Sequence, residues 1–433
     1  MNRRSFLASL TAAPLFAQQN KPLNILLILT DDLGYADVGC YGAKDIRTPN
    51  IDRLATQGVR LTDCYSNGPV CTPTRAGLMT GRYQQRFGLE WAIPPGIKGW
   101  GLETKNPTIA ALLKRHNPAY KTGLFGKWHL GYEPEYGPNA HGFDEFYGLL
   151  SGNVDHYSHK EINDEADWYE NLKPIEAQGY STELLRDRAA DFIRRNAANP
   201  FFCYVPFNSV HWPFQAPGRP NDIRKRPTWF EGTRKDYALM MESIDSAVGA
   251  LLAELDKHGL TNNTLVIFTN DNGGERLSDN RPFFHHKATV WEGGIRVPAI
   301  LRWPGQLPAG KVSQQAAMSM DLAATVLSAA GAPLPSNLDG VDLLDILRGR
   351  QPEKPRDFCW RIDRADRKQK AVRHGEWKYV RDGNIEHLSD LRKDPGERVD
   401  LAYGNPEALA QCRKVLADWE ADLAKNPPPK VVK

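Results

Sequence analysis

Four runs of this chain are apolar without alternation, and each breaks sharply into charged or amide residues. Leu23–Thr30 (LNILLILT) ends at Asp31-Asp32, and Thr264–Thr269 (TLVIFT) ends at Asn270-Asp271-Asn272-Gly273-Gly274. Phe201–Phe207 (FFCYVPF) leads into Asn208-Ser209-Val210-His211-Trp212-Pro213, and Lys121–Gly131 (KTGLFGKWHLG) delivers Lys127 and His129. Runs of this length predict strands buried on both faces, as in a sheet covered by helices. Between them the apolar period lengthens. Thr48 to Gly58 opens with a cap residue and Pro49 at the first helical position. Ser181 to Asn196 places Leu184, Leu185, Ala189, Phe192 and Ile193 on one flank, and Asp236 to Gly259 spaces Met240, Met241, Ile244, Val248, Leu251, Leu252 and Leu255 in the same way. Each predicts an amphipathic helix. Strands alternating with helices imply an α/β sandwich.

The pattern changes after the Pro- and Arg-rich stretch Leu347 to Arg356, which predicts a boundary. The body of the fold is read as residues 21–352, and residues 353–433 as a smaller C-terminal α+β subdomain. Its hairpin turns at His374-Gly375-Glu376 within Lys370–Gly383, and Ala408 to Leu423 is a closing helix. Ala216 to Thr233, polar and rich in Pro and Arg, is expected as a surface excursion edging a pocket.

Composition adds limits. The 433 residues are 41% hydrophobic and 25% charged, enough for a large core plus a second unit. With 55 Lys and Arg against 52 Asp and Glu the net charge is +3, which leaves no electrostatic footprint for nucleic acid and requires any anion binding to be local. Residues 1–20 read as an export signal: Arg3-Arg4 in Asn2–Leu7 has a twin-arginine pattern, and the apolar stretch after it is too short to span a membrane. An exported protein, periplasmic or secreted from a bacterium and without stable membrane association, is expected.

The strand ends carry the chemistry. Adjacent carboxylates at Asp31 and Asp32 repel one another unless a cation or basic groups lie between them. Asp271 and Asn272 complete an all-oxygen set suited to one hard divalent ion. Ligands of α/β sheets bind outside the carboxyl ends of strands, so four such ends with complementary chemistry read as one site. Into this falls Cys71-Thr72-Pro73-Thr74-Arg75. Pro73 suits a first helical turn, where backbone N–H groups and the helix dipole favour an anion, and Arg75 adds a forked cation for a tetrahedral oxyanion. The six cysteines show no CxxC spacing, and setting Cys71 aside for chemistry leaves an odd five, which argues against a full disulfide framework. Cys203, in an apolar strand, is expected as a small core residue.

Taken together, NILLILTDDLGYADVGCYG, TPNIDRLATQGVRLTDCYSNGPVCTPTRAGLMTGRY, FGKWHLG, HWPF, NDNGG and KATVWEGGIRVP make the chain resemble the type I sulfatases of the alkaline-phosphatase-like superfamily, from about Leu23 to Pro298. AVRHGEWKYV and HLSDLRKDPGERVDLA extend the resemblance toward the C-terminus. The resemblance implies that Cys71 is oxidised to formylglycine by a formylglycine-generating enzyme. The aldehyde hydrate then carries two hydroxyls, one to attack sulfur and one to lose its proton and expel sulfate. It also implies that Asp31, Asp32, Asp271 and Asn272 bind calcium, or magnesium in its place. By the same resemblance the fold has a large central mixed β-sheet sandwiched by helices. Arg75, Lys127, Lys287 and His211 are expected to grip the sulfate, His129 to be the base, and Lys287 or His211 to protonate the departing oxygen. Lys287 follows His285-His286 where the family usually has glycines. Ser151 and Asn153 are the candidates for substrate contact, with Trp360 and Arg361 reaching in from the C-terminal unit.

By resemblance the substrate is a sulfated saccharide of the galactose or N-acetylgalactosamine type. The sharper rival is a phosphonate monoester or phosphodiester hydrolase of the same superfamily, since sulfate and phosphate share tetrahedral geometry. A non-catalytic glycan-binding relative is the rival of a different class.

Overall fold

A computed structural model describes residues 22–428 apart from Ala365; the segment read as an export signal lies outside them. Ten strands form the main sheet, in the order Lys311–Ser313, Val59–Leu61, Ala299–Arg302, Thr264–Asn270, Asn24–Thr30, Phe201–Pro206, Lys121–Lys127, Glu145–Leu149, Tyr169–Glu170 and Lys173–Pro174. The middle is parallel: Asn24–Thr30 pairs with Thr264–Asn270 on one side and Phe201–Pro206 on the other. Ala299–Arg302 runs antiparallel beside them, so the sheet is mixed. The register sets Thr30 opposite Asn270 and Leu29 opposite Pro206, which brings the carboxyl ends of three strands to one edge.

Why the central run is apolar throughout is visible in its two faces. Ile25, Leu27 and Leu29 pack into one core with Leu78, Met79, Leu113 and Leu322. Leu26 and Ile28 pack into the other with Leu54, Phe192, Met240, Ile244 and Leu251. Every residue from Asn24 to Thr30 is buried, and each such aliphatic side chain contributes about 1.5–3 kcal/mol on burial.

The long helices lie at or within two or three residues of their expected bounds, as Pro49–Thr56, Ser181–Arg195, Arg234–Lys257 and Pro406–Ala424. Arg234–Lys257 starts earlier than its apolar period suggests. Thr233 and Asp236 close a reciprocal capping box there, satisfying backbone donors before the first apolar residue. The strand from Lys121 differs more. It ends at Lys127, and His129 lies in the loop beyond with φ of 57°.

The C-terminal region contains a four-stranded antiparallel sheet: Asp357–Asp363, Lys368–His374, Trp377–Asp382 and Ile385–Asp390. One face packs Cys359, Val372 and Tyr379 against Cys412 and Leu416 of the closing helix. The other packs Phe358, Trp360 and Ala371 against Tyr65, Val290 and Ile295 of the main body. All six cysteines are unpaired, and Cys203 is fully buried. No described helix is long and apolar enough to cross a membrane.

Candidate active site

The four strand ends and the helix Cys71–Thr80 converge on one buried cluster. Cys71 is the first residue of that helix, after Val70 in extended conformation. Its Sγ lies 3.5 Å from Asp31 Oδ1. Lys127 donates to the other Asp31 oxygen at 2.6 Å, while Arg75 meets Asp271 Oδ2 through Nε at 3.2 Å and Nη2 at 2.9 Å. Lys287 donates to Asp32 Oδ2 at 2.7 Å. Three carboxylates and three cations thus share a region almost closed to water. Asp32 holds a left-handed φ of 59°, uncommon for a residue with a Cβ and frequent where a site fixes its side chain.

Backbone contacts lock the strand ends together. Asp31 N donates to the Ser209 carbonyl at 2.9 Å and Val210 N to the Asp31 carbonyl at 2.7 Å, so the loop bearing His211 is stitched to the first carboxylate. Lys287 N donates to the Gly274 carbonyl and Ala288 N to that of Pro69, which fixes Lys287 between the NDNGG turn and the cysteine loop. Gly273 is required there: a Cβ would come within 1.9 Å of the Gly293 carbonyl oxygen.

Burial, then the Asp271 charge, pushes the Asp31 carboxyl up to about 8, against the pull of Lys127 and Arg75. Burial also opposes the charge on Asp271, but Arg75 and Lys127 hold that group below the usual carboxylate range. One ligand atom each from Asp31, Asp32, Cys71 and His211 lies within 4.8 Å of the others. Asp271 turns one oxygen to Arg75 and accepts the Asp32 amide with the other at 3.3 Å. Asn272 points Nδ2 at Asp32 and leaves its buried Oδ1 without a partner. An orphaned amide oxygen beside Asp31, whose charge Lys127 and Arg75 do not fully offset against burial, is what a hard divalent cation satisfies, so these residues fit one. Burial raises the Cys71 thiol well above its ordinary range despite Lys127 and Lys287. The unmodified side chain is therefore a neutral thiol, a poor nucleophile.

The two histidines differ. His129 has Nε2 3.0 Å from the Ile93 carbonyl, which makes Nε2 the donor and leaves buried Nδ1 unpartnered. His211 has Nδ1 2.7 Å from the Trp212 carbonyl and directs Nε2 to Asp32 at 3.4 Å. Burial holds both well below the usual histidine range; Lys127 adds to this at His129, and Lys287 then Lys127 at His211. Burial works against the Lys287 ammonium too, yet Asp32 and its neighbours carry it well above its ordinary value.

The other expected residues fall differently. Ser151 is buried, its hydroxyl donating to the Asn153 carbonyl at 3.1 Å. Asn153 Nδ2 donates at 3.0 Å to the Trp212 carbonyl, the oxygen that also holds His211. Trp360 and Arg361 do not reach the cluster. The Trp360 indole is fully buried and donates to the Ser66 carbonyl, and Arg361 is paired with Glu90 and Glu420. Alternation along the strand Asp357–Asp363 turns the Trp360 side chain into the core and Arg361 to Glu90 and Glu420, so neither is free to reach in. Three supports went unanticipated: Thr72 bridges the His129 carbonyl and the Ile93 amide, Asp167 accepts the amides of Leu150 and Ser151, and Glu275 faces Asp32 and Lys287. Thr72 alone had a signal, its place inside the Cys-Thr-Pro-Thr-Arg run.

The family profile described as Sulfatase matches residues 23–332. The chain belongs to the sulfatase family. A second profile, N-sulphoglucosamine sulphohydrolase C-terminal, matches residues 281–424. Human N-acetylgalactosamine-6-sulfatase is 33% identical, covering 94% of this chain and 87% of its own length. Human arylsulfatase A is 34% identical over 98% and 93%. Among solved structures, Ps i-CgsB in complex with a neocarrahexaose superposes with a TM-score of 0.87 at 32% identity, over 95% of this chain and 96% of that one. The PsFucS1 sulfatase from Pseudoalteromonas sp. gives 0.80 at 27%, over 97% and 94%. The protein is a sulfuric ester hydrolase with the alkaline-phosphatase-like fold.

Proposed function

We propose that the enzyme removes sulfate from a galactose- or N-acetylgalactosamine-type saccharide, with residue 71 as formylglycine and one calcium ion held by Asp31, Asp32, Asp271 and Asn272. The observation that carries this reading is the pairing of three buried carboxylates with two buried cations, Arg75 and Lys127, and the part-buried Lys287 around residue 71. Formylglycine, installed by a formylglycine-generating enzyme, supplies as its hydrate the attacking hydroxyl and a second that drives sulfate out. A bound calcium ion supplies positive charge that keeps Asp31 ionised and lowers the cost of charge on the attacking oxygen. The net change is ester plus water giving alcohol, sulfate and a proton.

The remaining work falls to this chain. Arg75 is fixed by Asp271 and by the Lys127 carbonyl at 2.9 Å, so its fork is aligned before a sulfate arrives. Lys127 and Lys287, at opposite carboxylates, offset charge on the sulfate oxygens. His129 Nδ1, unpartnered and kept neutral, accepts the proton from the second hydroxyl. His211 is also neutral, whereas Lys287 retains its proton; this supports Lys287 as the donor to the leaving oxygen and His211 as a sulfate contact. Residues 1–20 are read as the segment that exports the enzyme, consistent with soluble substrate outside the cytoplasm.

The test is sulfate release from 6-sulfated galactose and N-acetylgalactosamine saccharides by protein co-expressed with a formylglycine-generating enzyme. Peptide mass spectrometry is expected to find the aldehyde or its hydrate at residue 71, and elemental analysis one calcium per chain. Full activity in Cys71→Ala, or two zinc ions in the site, would rule the assignment out.

A further inference from the structure

The site does not stop at Lys287. The loop after Gly274 carries Glu275, which faces Asp32, Lys287, His286 and the indole of Trp212, and whose buried Oε2 has no partner. This loop walls a cleft of about 600 Å³ with His285 and His286. The same Leu277–Asp279 segment and Arg281 wall an adjoining cleft of about 820 Å³ that continues to Lys44 and Arg234. Each lies in the range of about 300–1,000 Å³ in which proteins hold an organic ligand.

The dividing loop is fixed from both sides. Asp279 N donates to the buried Asp37 carboxylate at 2.9 Å, and its carbonyl accepts the Ala36 amide at 2.8 Å. Asn280 clamps Gly274 twice, accepting from its amide at 3.0 Å and donating to its carbonyl at 2.9 Å. Arg234 donates to the Leu277 carbonyl at 2.7 Å. The clefts therefore exist before a ligand arrives, and ordering the loop subtracts nothing from binding.

Their charge is uneven. Asp45 is paired with Arg234 and Asp279 with Arg281, whose side chain is nonetheless 86% exposed. Lys44 and exposed Arg276 have no ion pair among the described residues. Cations are thus left over beside the inner cleft and at the outer one, while Glu275 offers an acceptor at the end nearest Lys287.

We propose that these two clefts extend the substrate site and hold further units of an anionic oligosaccharide beyond the ester under attack. Glu275 takes sugar hydroxyls at the inner end, and Arg276, Arg281 and Lys44 meet anionic groups along the chain. This rests on the saccharide reading of the catalytic site, and it commits the enzyme to recognising chain length.

The experiment is inhibition of 4-nitrophenyl sulfate hydrolysis by sized oligosaccharides of chondroitin 6-sulfate and of κ-carrageenan. In at least one series Ki is expected to fall about tenfold from disaccharide to hexasaccharide, as two charge-assisted contacts would give. The double variant Lys44→Ala/Arg276→Ala should lose that gain while keeping wild-type kcat and KM on the aryl ester, which also reports that it folds. Glu275→Gln should raise Ki for every length by a similar factor. A Ki independent of length in both series, or a length gain that survives the double variant, overturns the proposal. Sulfate release from the disaccharides is measured separately; its absence with aryl sulfatase activity intact sinks the saccharide reading, whatever the length dependence shows.

Discussion

His129 shows how one residue is prepared. Its Nε2 is spent on the Ile93 carbonyl, its carbonyl is held by Thr72, and its ring lies against Gly152. A Cβ at Gly152 would stand 2.8 Å from the ring Cε1, closer than real contacts allow. His129→Ala is therefore expected to lower kcat by about 10²–10⁴-fold, the usual worth of a positioned proton acceptor. Gly152→Ala, which leaves the imidazole but moves it, should lower kcat more than tenfold with KM changed little, since roughly an ångström of misplacement costs on the order of 10²-fold. Steady-state rates with 4-nitrophenyl sulfate decide the point, and a wild-type kcat in Gly152→Ala would show that the ring position does not matter. Asp31, Asp32, Asp271 and Lys127 were readable in the chain because each stands at the end of a buried strand, where an ionised side chain needs a reason to be there. Arg75 was readable from the Cys-Thr-Pro-Thr-Arg run, and Lys287 only from the family resemblance. The cluster's supports were not. Asp167 and Glu275 come from loops whose composition resembles that of any solvated turn, and only their contacts distinguish them.

At the scale of elements, unbroken apolar runs were a reliable guide because both faces of the central sheet are covered, so every position is under the same demand. Strand ends were harder to read. In the run from Lys121 the apolar residues continue past the strand, and what ends it is the positive φ at His129, a backbone property that residue type does not announce. The helix from Arg234 was misjudged at its start for the opposite reason, since the capping box is polar and precedes the period. The segment carrying Ser151 is held up by a second acidic pair. Asp167 anchors two of its amides, and nearby Glu161 is buried with Oε2 unpartnered. Burial, then the Asp167 charge, raises the Glu161 carboxyl to about 8. Between its ordinary value of about 4.3 and 8 the native protein therefore keeps a proton that the unfolded chain has lost, so stability falls as pH rises through that window. Glu161→Gln removes this dependence. Its Tm, equal to or slightly below wild type at pH 5, should exceed wild type by several degrees at pH 8, for about 1–2 kcal/mol. Parallel Tm profiles for the two proteins across this range would mean that another group titrates.

The whole molecule is coupled through the junction between the C-terminal sheet and the body. Lys378, with its side chain fully buried, donates to Glu292 at 2.9 Å and to Glu397 at 3.2 Å. Glu292 also receives Arg296 and the Tyr65 hydroxyl, and Tyr65 in turn receives Arg373 from the C-terminal sheet. Burial works against a charge on Glu292, but Lys378 and then Arg296 bring it down to about 2. Burial raises Glu397 to about 7 against the pull of Lys378, so the network holds one firmly ionised carboxylate and one near its midpoint at neutral pH. Sequence could place the hairpin that bears Lys378 but not this partnership, because its members are separated by 86 positions for one contact and 19 for the other. The network reaches the catalytic edge. Glu292 opens the short helix Glu292–Ile295, and Gly294 in it accepts the Gly273 amide at 2.9 Å, directly after Asp271 and Asn272. Lys378→Met keeps most of the side chain's unbranched stem and removes the charge, leaving Glu292 and Glu397 buried without their shared cation. A loss of about 3–5 kcal/mol is expected, read as a lowered midpoint in urea with an unchanged slope. On the proposed calcium site, the same variant should also require more calcium for half-maximal activity than wild type, since the turn that would present Asp271 and Asn272 loses its backing. A variant destabilised as predicted but with unaltered calcium dependence would confine Lys378 to holding the two sheets together, and a variant of wild-type stability would mean that the buried carboxylates find protons or water in its place.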